Sequence, residues 1–171
     1  MKVITLPKSF DENEIFLLVI AFALLIYSIL LPKRFPIHVF LVLFISNSFI
    51  GRTVDMAIAI PPIDLYSSLD SNTHELFDEI IYSVIYPLYG YLFYYFYDKY
   101  DHLPTWASII TWSIQSCFLE WISTMINIFQ YNKWHIIFSF FVYLFVFSFH
   151  SFFFKWVTKQ FNYTSKRTER N

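Results

Sequence analysis

Residues 15–31 read IFLLVIAFALLIYSILL, an apolar run without a charged side chain. A helix that crosses the hydrocarbon core of a bilayer needs about 20 such residues, so this stretch is expected to span a membrane. Working outward, four more stretches follow at 37–60, 75–97, 105–129 and 135–157, with a few polar interruptions. The linkers between them are short: PKRFP, PPIDLYSSLDSNTH, DKYDHLP and QYNKW. Pro32, Pro36, Pro61, Pro62 and Pro104 stand where helices should stop or start, because proline lacks the N–H that a helix interior needs. The expected fold is all-α: a polytopic transmembrane helical bundle of five spans. It forms one transmembrane domain, 1–171, with an outer N-terminal segment 1–14 and a basic tail 158–171.

Composition points the same way. Hydrophobic residues make up 57% of the 171-residue chain and charged residues 15%, against about 45–50% and about 25% in ordinary globular domains. The net charge of −1 leaves no basic footprint of the kind a nucleic-acid partner needs. Cys117 is the only cysteine, which excludes an intrachain disulfide and a thiolate metal cluster. The excess of Phe, Ile and Tyr over Gly, Ala and Arg resembles AT-rich coding, as in a low-GC bacterium. Lys2 and Lys8 precede the first run in the manner of a signal peptide. Asp11, Glu12 and Glu14 intervene, however, and no small-x-small cleavage site follows, so the helix is expected to be retained.

With five spans, the first linker, the third linker and the tail share a side. They carry eight basic residues: Lys33, Arg34, Lys99, Lys155, Lys159, Lys166, Arg167 and Arg170. The other side has Lys2, Lys8 and Lys133. The positive-inside rule then puts the tail in the cytoplasm and the N-terminus outside. The outer side is acidic, with Asp11, Glu12, Glu14, Asp64, Asp70, Glu75, Asp78 and Glu79.

The second span carries GRTVD at 51–55, an arginine and an aspartate inside an apolar run. At about 1.5 Å per residue, Arg52 and Glu120 each lie about 22 Å from the inner edge of a core about 30 Å thick. Asp55 is one turn higher, and Tyr82 of the third span falls near the same depth. Asn47, Gly51 and Asp55 share a stripe with Ser48 and Arg52 beside it. On the fourth span Ser113, Ser116, Glu120, Ser123, Thr124 and Asn127 fall within about 100° of arc. The opposite arc carries Ile110, Ile114, Phe118 and Leu119, with Gln115 as a polar exception. Polar seams belong against other helices, because lipid cannot satisfy them. The third span places Asp78, Tyr82, Tyr86 and Tyr89 on one face, and Pro87 should kink it and free the Ser83 carbonyl.

Two readings of Arg52, Asp55 and Glu120 follow. In one, Arg52 bridges Asp55 and Glu120 as a structural pin. In the other, one positive against two negative charges leaves a site for a proton, a metal ion or an amine.

Asp70, His74, Glu75 and Asp78 form a possible outer cation site, with the metal unknown. HELFD resembles the zincin HExxH with its last ligand changed, and a third ligand is missing apart from Asp70. The competing reading is helix capping, with Asn72 three before Glu75. No GxSxG, GxGD, P-loop or GxGxxG occurs, so no catalytic residue and no cofactor are expected. Trp106, Tyr131, Trp134 and Trp156 read as interface anchors.

The segments LPKRFP, GRTVD, PIDLY and ELFDEIIYSVIYPLYGYLFYYFYDKY, with the five-span layout, resemble a family of small integral membrane proteins of Bacillus-like, spore-forming Firmicutes. The likeness covers roughly residues 31–101. It implies a bacterial cell membrane and a multi-pass fold, and supplies no activity or ligand. The functional expectation is a non-catalytic sensor or accessory subunit, whose partners are the lipid bilayer and a second copy or another membrane protein. The alternatives are a small transporter or channel subunit for a proton or cationic solute and, third, a membrane metallohydrolase.

Overall fold

The computed structural model describes residues 6–7, 9–59, 65–69 and 75–164. It is built from helices: α1 (Glu12–Leu30), α2 (Ile37–Ala59), a rod made of α3 (Leu76–Ile80), a π-helical turn (Ile81–Ile85) and α4 (Tyr86–Lys99), then α5 (Thr105–Met125) and α6 (Ile136–Gln160). Helix α1, residues 37–57 of α2, and α6 are long and apolar enough to cross a membrane. The site described below draws its side chains from α2, the rod 76–99, α5, α6 and two of the linkers.

Helix α1 starts three residues before the apolar run. Asp11 is its N-cap, and a capping box closes the first turn: Glu14 Oε2 accepts from the Asp11 backbone N–H at 3.0 Å. The Asp11 carboxylate accepts from the Ser9 hydroxyl at 2.9 Å and the Asn13 N–H at 3.2 Å, which together hold it below its ordinary pKa. The acids that argue against a signal peptide are thus the start signal of the helix.

The rod 76–99 occupies the middle of the bundle, and its α4 part packs on α1, α2, α5 and α6. Its aromatics fill the main core, where Phe93, Tyr94 and Tyr97 meet Val39, Leu43, Phe147 and Phe154. Pro87 has the expected local effect in an altered form. The helix widens into the π turn just before it, and the Tyr86 N–H donates to the Ile81 carbonyl five residues back. The distortion is therefore spread over Ile81–Ile85.

The two glycines of the chain face each other's neighbours across the α2–α4 contact. A Cβ on Gly51 would overlap the Tyr86 ring, and one on Gly90 would overlap the Asn47 amide. Asn47 and Gly51 are four residues apart on α2, and Tyr86 and Gly90 four apart on α4. Each helix thus offers one large polar side chain and one gap, so the backbones approach closely.

Two linkers do more than connect. Tyr66–Ser68 (β1) and Phe129–Tyr131 (β2) pair as an antiparallel ribbon, in the register Tyr66 to Tyr131 and Ser68 to Phe129. Accordingly α5 ends at Met125, short of the expected 129. Asn127 takes a left-handed φ of 56°, and the Ile128 N–H closes back on the Ser123 carbonyl. At the other end of the bundle, Arg34 grips Asp98. Its Nε donates to Oδ2 at 2.5 Å and its Nη2 to the Asp98 carbonyl at 2.9 Å, while the Tyr163 hydroxyl donates to the Arg34 carbonyl at 3.2 Å.

Candidate functional site

A cavity of about 900 Å³ lies inside the bundle, walled by α1, α2, the rod 76–99, α5, α6 and the ribbon. Asp55 and Glu120 both open into it. The stripe expected on α2 is the one that faces it: Asn47, Gly51 and Asp55 all line the cavity. On α5 the lining is rotated from the expected seam. Ser116, Glu120 and Ser123 belong to it, as do Gln115 and Leu119 from the arc assigned to lipid. Ser113 instead returns its hydroxyl to the Ile109 carbonyl at 2.8 Å.

Each carboxylate is held by hydroxyl donors. Asp55 accepts from Tyr66 at 2.5 Å and from Tyr86 at 3.0 Å. Glu120 accepts from Ser139 at 2.6 Å, from Tyr143 at 2.7 Å and from Tyr131. Ser139 and Tyr143 are four apart on α6 and therefore share a face. Trp134 Nε1 donates to the Ser139 oxygen at 2.7 Å, so a two-link relay ends on Glu120. Tyr143 also lies within electrostatic reach of Asp55 and Tyr86, which links the two halves of the site.

The ribbon is the roof. Tyr66 and Tyr131 are cross-strand partners, so their side chains leave the ribbon on one face. One donates to Asp55 and the other to Glu120. Burial, then the Asp55 charge, push the Tyr66 hydroxyl above the usual tyrosine range. Burial, then the bond to Glu120, do the same to Tyr131. Both stay protonated donors at neutral pH.

Arg52 does not bridge Asp55 and Glu120, as one sequence reading has it. Its guanidinium is ion-paired with Glu79, two residues before the π turn, and stacks 5.2 Å from the centre of the Tyr82 ring. The phase of α2 explains this: Arg52 lies beside the cavity stripe, turned toward α3. Among the described residues, neither Asp55 nor Glu120 forms an ion pair. Among the described residues, two further polar side chains face the cavity without a protein partner: the Asn47 amide, 3% exposed, and both ring nitrogens of His150, 5% exposed.

Of the expected outer cation site, Asp70 and His74 lie outside the described residues. Glu75 and Asp78 are engaged in capping, shifted three residues from the expected box: Glu75 is the N-cap, and Asp78 Oδ2 accepts its N–H at 2.8 Å. Asp78 also accepts from Ser68 of the ribbon at 2.9 Å. Among the described residues, no group of three or more His, Cys, Asp or Glu side chains is arranged to hold a metal ion.

Sequence reasoning passed over Glu79, Ser139, Tyr143 and the two roof tyrosines as functional residues. For Ser139 and Tyr143 a signal existed, since a serine and a tyrosine four apart in an apolar helix make a polar face. For Tyr66 and Tyr131 none did, because only the ribbon brings them together. Chemically, the arrangement is a pair of preset acceptors in an aromatic-walled space, suited to hold a proton or an organic cation. Compared with protein-family models, curated proteins and solved structures, the chain matches none.

Proposed function

We propose that the chain is a five-span, multi-pass protein of a bacterial plasma membrane, with its N-terminus outside, that acts without catalysis as a sensor or accessory subunit. Its working part in this reading is the roofed cavity. The observation that carries the proposal is that Asp55 and Glu120 share one cavity and lack a cation partner among the described residues. A charged group in a membrane interior is costly unless paired, so the site is incomplete without something bound. The eight-to-three division of basic residues supports the orientation, and it puts the ribbon on the outer side. The resemblance to Bacillus-like membrane proteins supports the compartment.

A second reading, a carrier or channel subunit for a proton or cationic solute, is favoured by the same two carboxylates opening into one space. Five spans without a repeat, and with only two glycines, speak for the sensor or subunit. The hydrolase reading draws no support from Glu75 and Asp78, which are used as caps.

Native mass spectrometry of the full chain, extracted mildly from its own membrane, tests occupancy. The expected spectrum carries a small-molecule mass, at one per chain, that is absent from Gln115→Trp, a substitution that fills the cavity rim. A chain bare of any such mass, or one whose added mass survives the substitution, would count against the cavity as the working part.

A further inference from the structure

We propose that the cavity binds a lipophilic amine, an ammonium head on an apolar body, taken sideways from the bilayer through an opening between α1 and α5. The inference rests on the cavity being the working part and names the chemistry of what fills it.

Charge sets the sign of the ligand. Asp55 and Glu120 both face the space, and among the described residues no lysine or arginine lines it. An anion would meet two carboxylates with no compensation. A neutral molecule would leave both without a counter-charge at low dielectric, where an unpaired ion is costly to hold. A bare metal ion is a poor fit, because the oxygens already accept from five hydroxyls and the described residues offer no third ligand in reach. An ammonium group keeps those bonds in place and adds donors of its own. The rings of Tyr86, Tyr89, Trp112 and Tyr143 line the same space. Aromatic faces attract an ammonium through the negative face of the ring quadrupole.

Shape sets the body and the route. About 900 Å³ is far more than an ammonium needs and lies in the range of sites for drug-sized molecules, roughly 300–1,000 Å³. The opening is identified by residues that line the cavity and are also solvent-exposed: Ala23 and Tyr27 on α1, Thr111, Gln115 and Leu119 on α5. Ala23, Thr111, Gln115 and Leu119 lie away from the ends of their helices, and Tyr27 in the last turn of α1. Helix α1 packs on α3, the π turn and α4, and α5 on α6, β2 and α4, so α1 and α5 make little contact with each other. A mid-helix opening faces acyl chains, so what passes it is apolar over most of its length. The unpartnered Asn47 amide and His150 imidazole then await a second polar group on the ligand, away from the ammonium.

The test uses the full chain in phosphatidylcholine nanodiscs with three probes of equal chain length: dodecylamine, dodecanol and dodecanoic acid. The expected result is saturable, one-to-one thermal stabilisation by the amine, with at least about tenfold weaker binding of the alcohol and the acid, a gap of 1.4 kcal/mol or more. Asp55→Asn and Glu120→Gln should each weaken amine binding by about tenfold or more, and Ala23→Trp should block it while leaving both carboxylates in place. The comparison of probes on the unaltered chain stands even if a variant fails to fold. Equal binding of amine and alcohol, or preference for the acid, would overturn the amine while leaving the cavity as a binding site. No saturable binding of any probe would overturn both. Undiminished amine binding in the double variant would show that these carboxylates are not the anchor.

Discussion

Arg34 and Arg52 stand at opposite ends of the bundle, and each is neutralised by a carboxylate on the rod 76–99. Asp98 is 1% exposed on its side chain, so removing its partner leaves a buried charge. Arg34→Met should cost about 3 kcal/mol in denaturant unfolding of the detergent-solubilised chain. Tyr163 adds to this clasp. Burial, then the charge of Asp98, raise its hydroxyl from 10 to about 12. A raised value of this kind gives stability that is full below pH 10 and is lost as pH climbs through about 12. Wild type should therefore lose stability relative to Tyr163→Phe across that window, and a constant difference would deny the shift. At the other end, a double-mutant cycle separates the two possible partners of Arg52. Arg52→Gln should couple to Glu79→Gln by 0.5 kcal/mol or more, and add with Glu120→Gln to within about 0.5 kcal/mol. Asp55 and Glu120 were legible as special because ionisable groups stand out in apolar runs. Glu79 was not, because an acid in the first turns of a helix already has a reason to be there.

At the scale of elements, the α2–α4 contact decides how closely the site closes. Gly→Ala in a helix interior normally gains about 1 kcal/mol. Here the new methyl would overlap Tyr86 or Asn47, and overpacking of this kind costs about 1–3 kcal/mol. Gly90→Ala should therefore destabilise, and Asn47→Ala in the same chain should recover much of the loss, as read by thermal unfolding in detergent. Two additive losses would deny the interlock. The helices themselves could be read from apolar runs and prolines, with shifts of a few residues at their ends. The ribbon could not. Each strand is three residues long, and its partner lies beyond two intervening rods, so nothing local marks the pairing. The π turn was half legible: Pro87 announces a defect, while the neighbouring helices decide its form.

At the scale of the whole molecule, a central aromatic rod is wrapped by apolar helices, with a clasp at one end and a roofed, acidic cavity toward the other. The apolar surface of α1, α2 and α6 was readable from the sequence because membrane spans need only length and composition. The cavity was not, since a hollow is set by which helices fail to touch. The measurement that tests its existence and its charge together is thiol reactivity in nanodiscs. With Cys117→Ser as background, Ser116→Cys puts a near-isosteric thiol on the cavity wall, and Ile114→Cys puts one on the outer surface, where Ile114 is 57% exposed. The Ser116→Cys thiol is expected to react with a small cationic thiosulfonate at least about tenfold faster than with an anionic one, and the Ile114→Cys thiol, which faces acyl chains, to stay unreactive toward both. An unreactive thiol in Ser116→Cys, or one indifferent to reagent charge, would contradict an open cavity governed by Asp55 and Glu120.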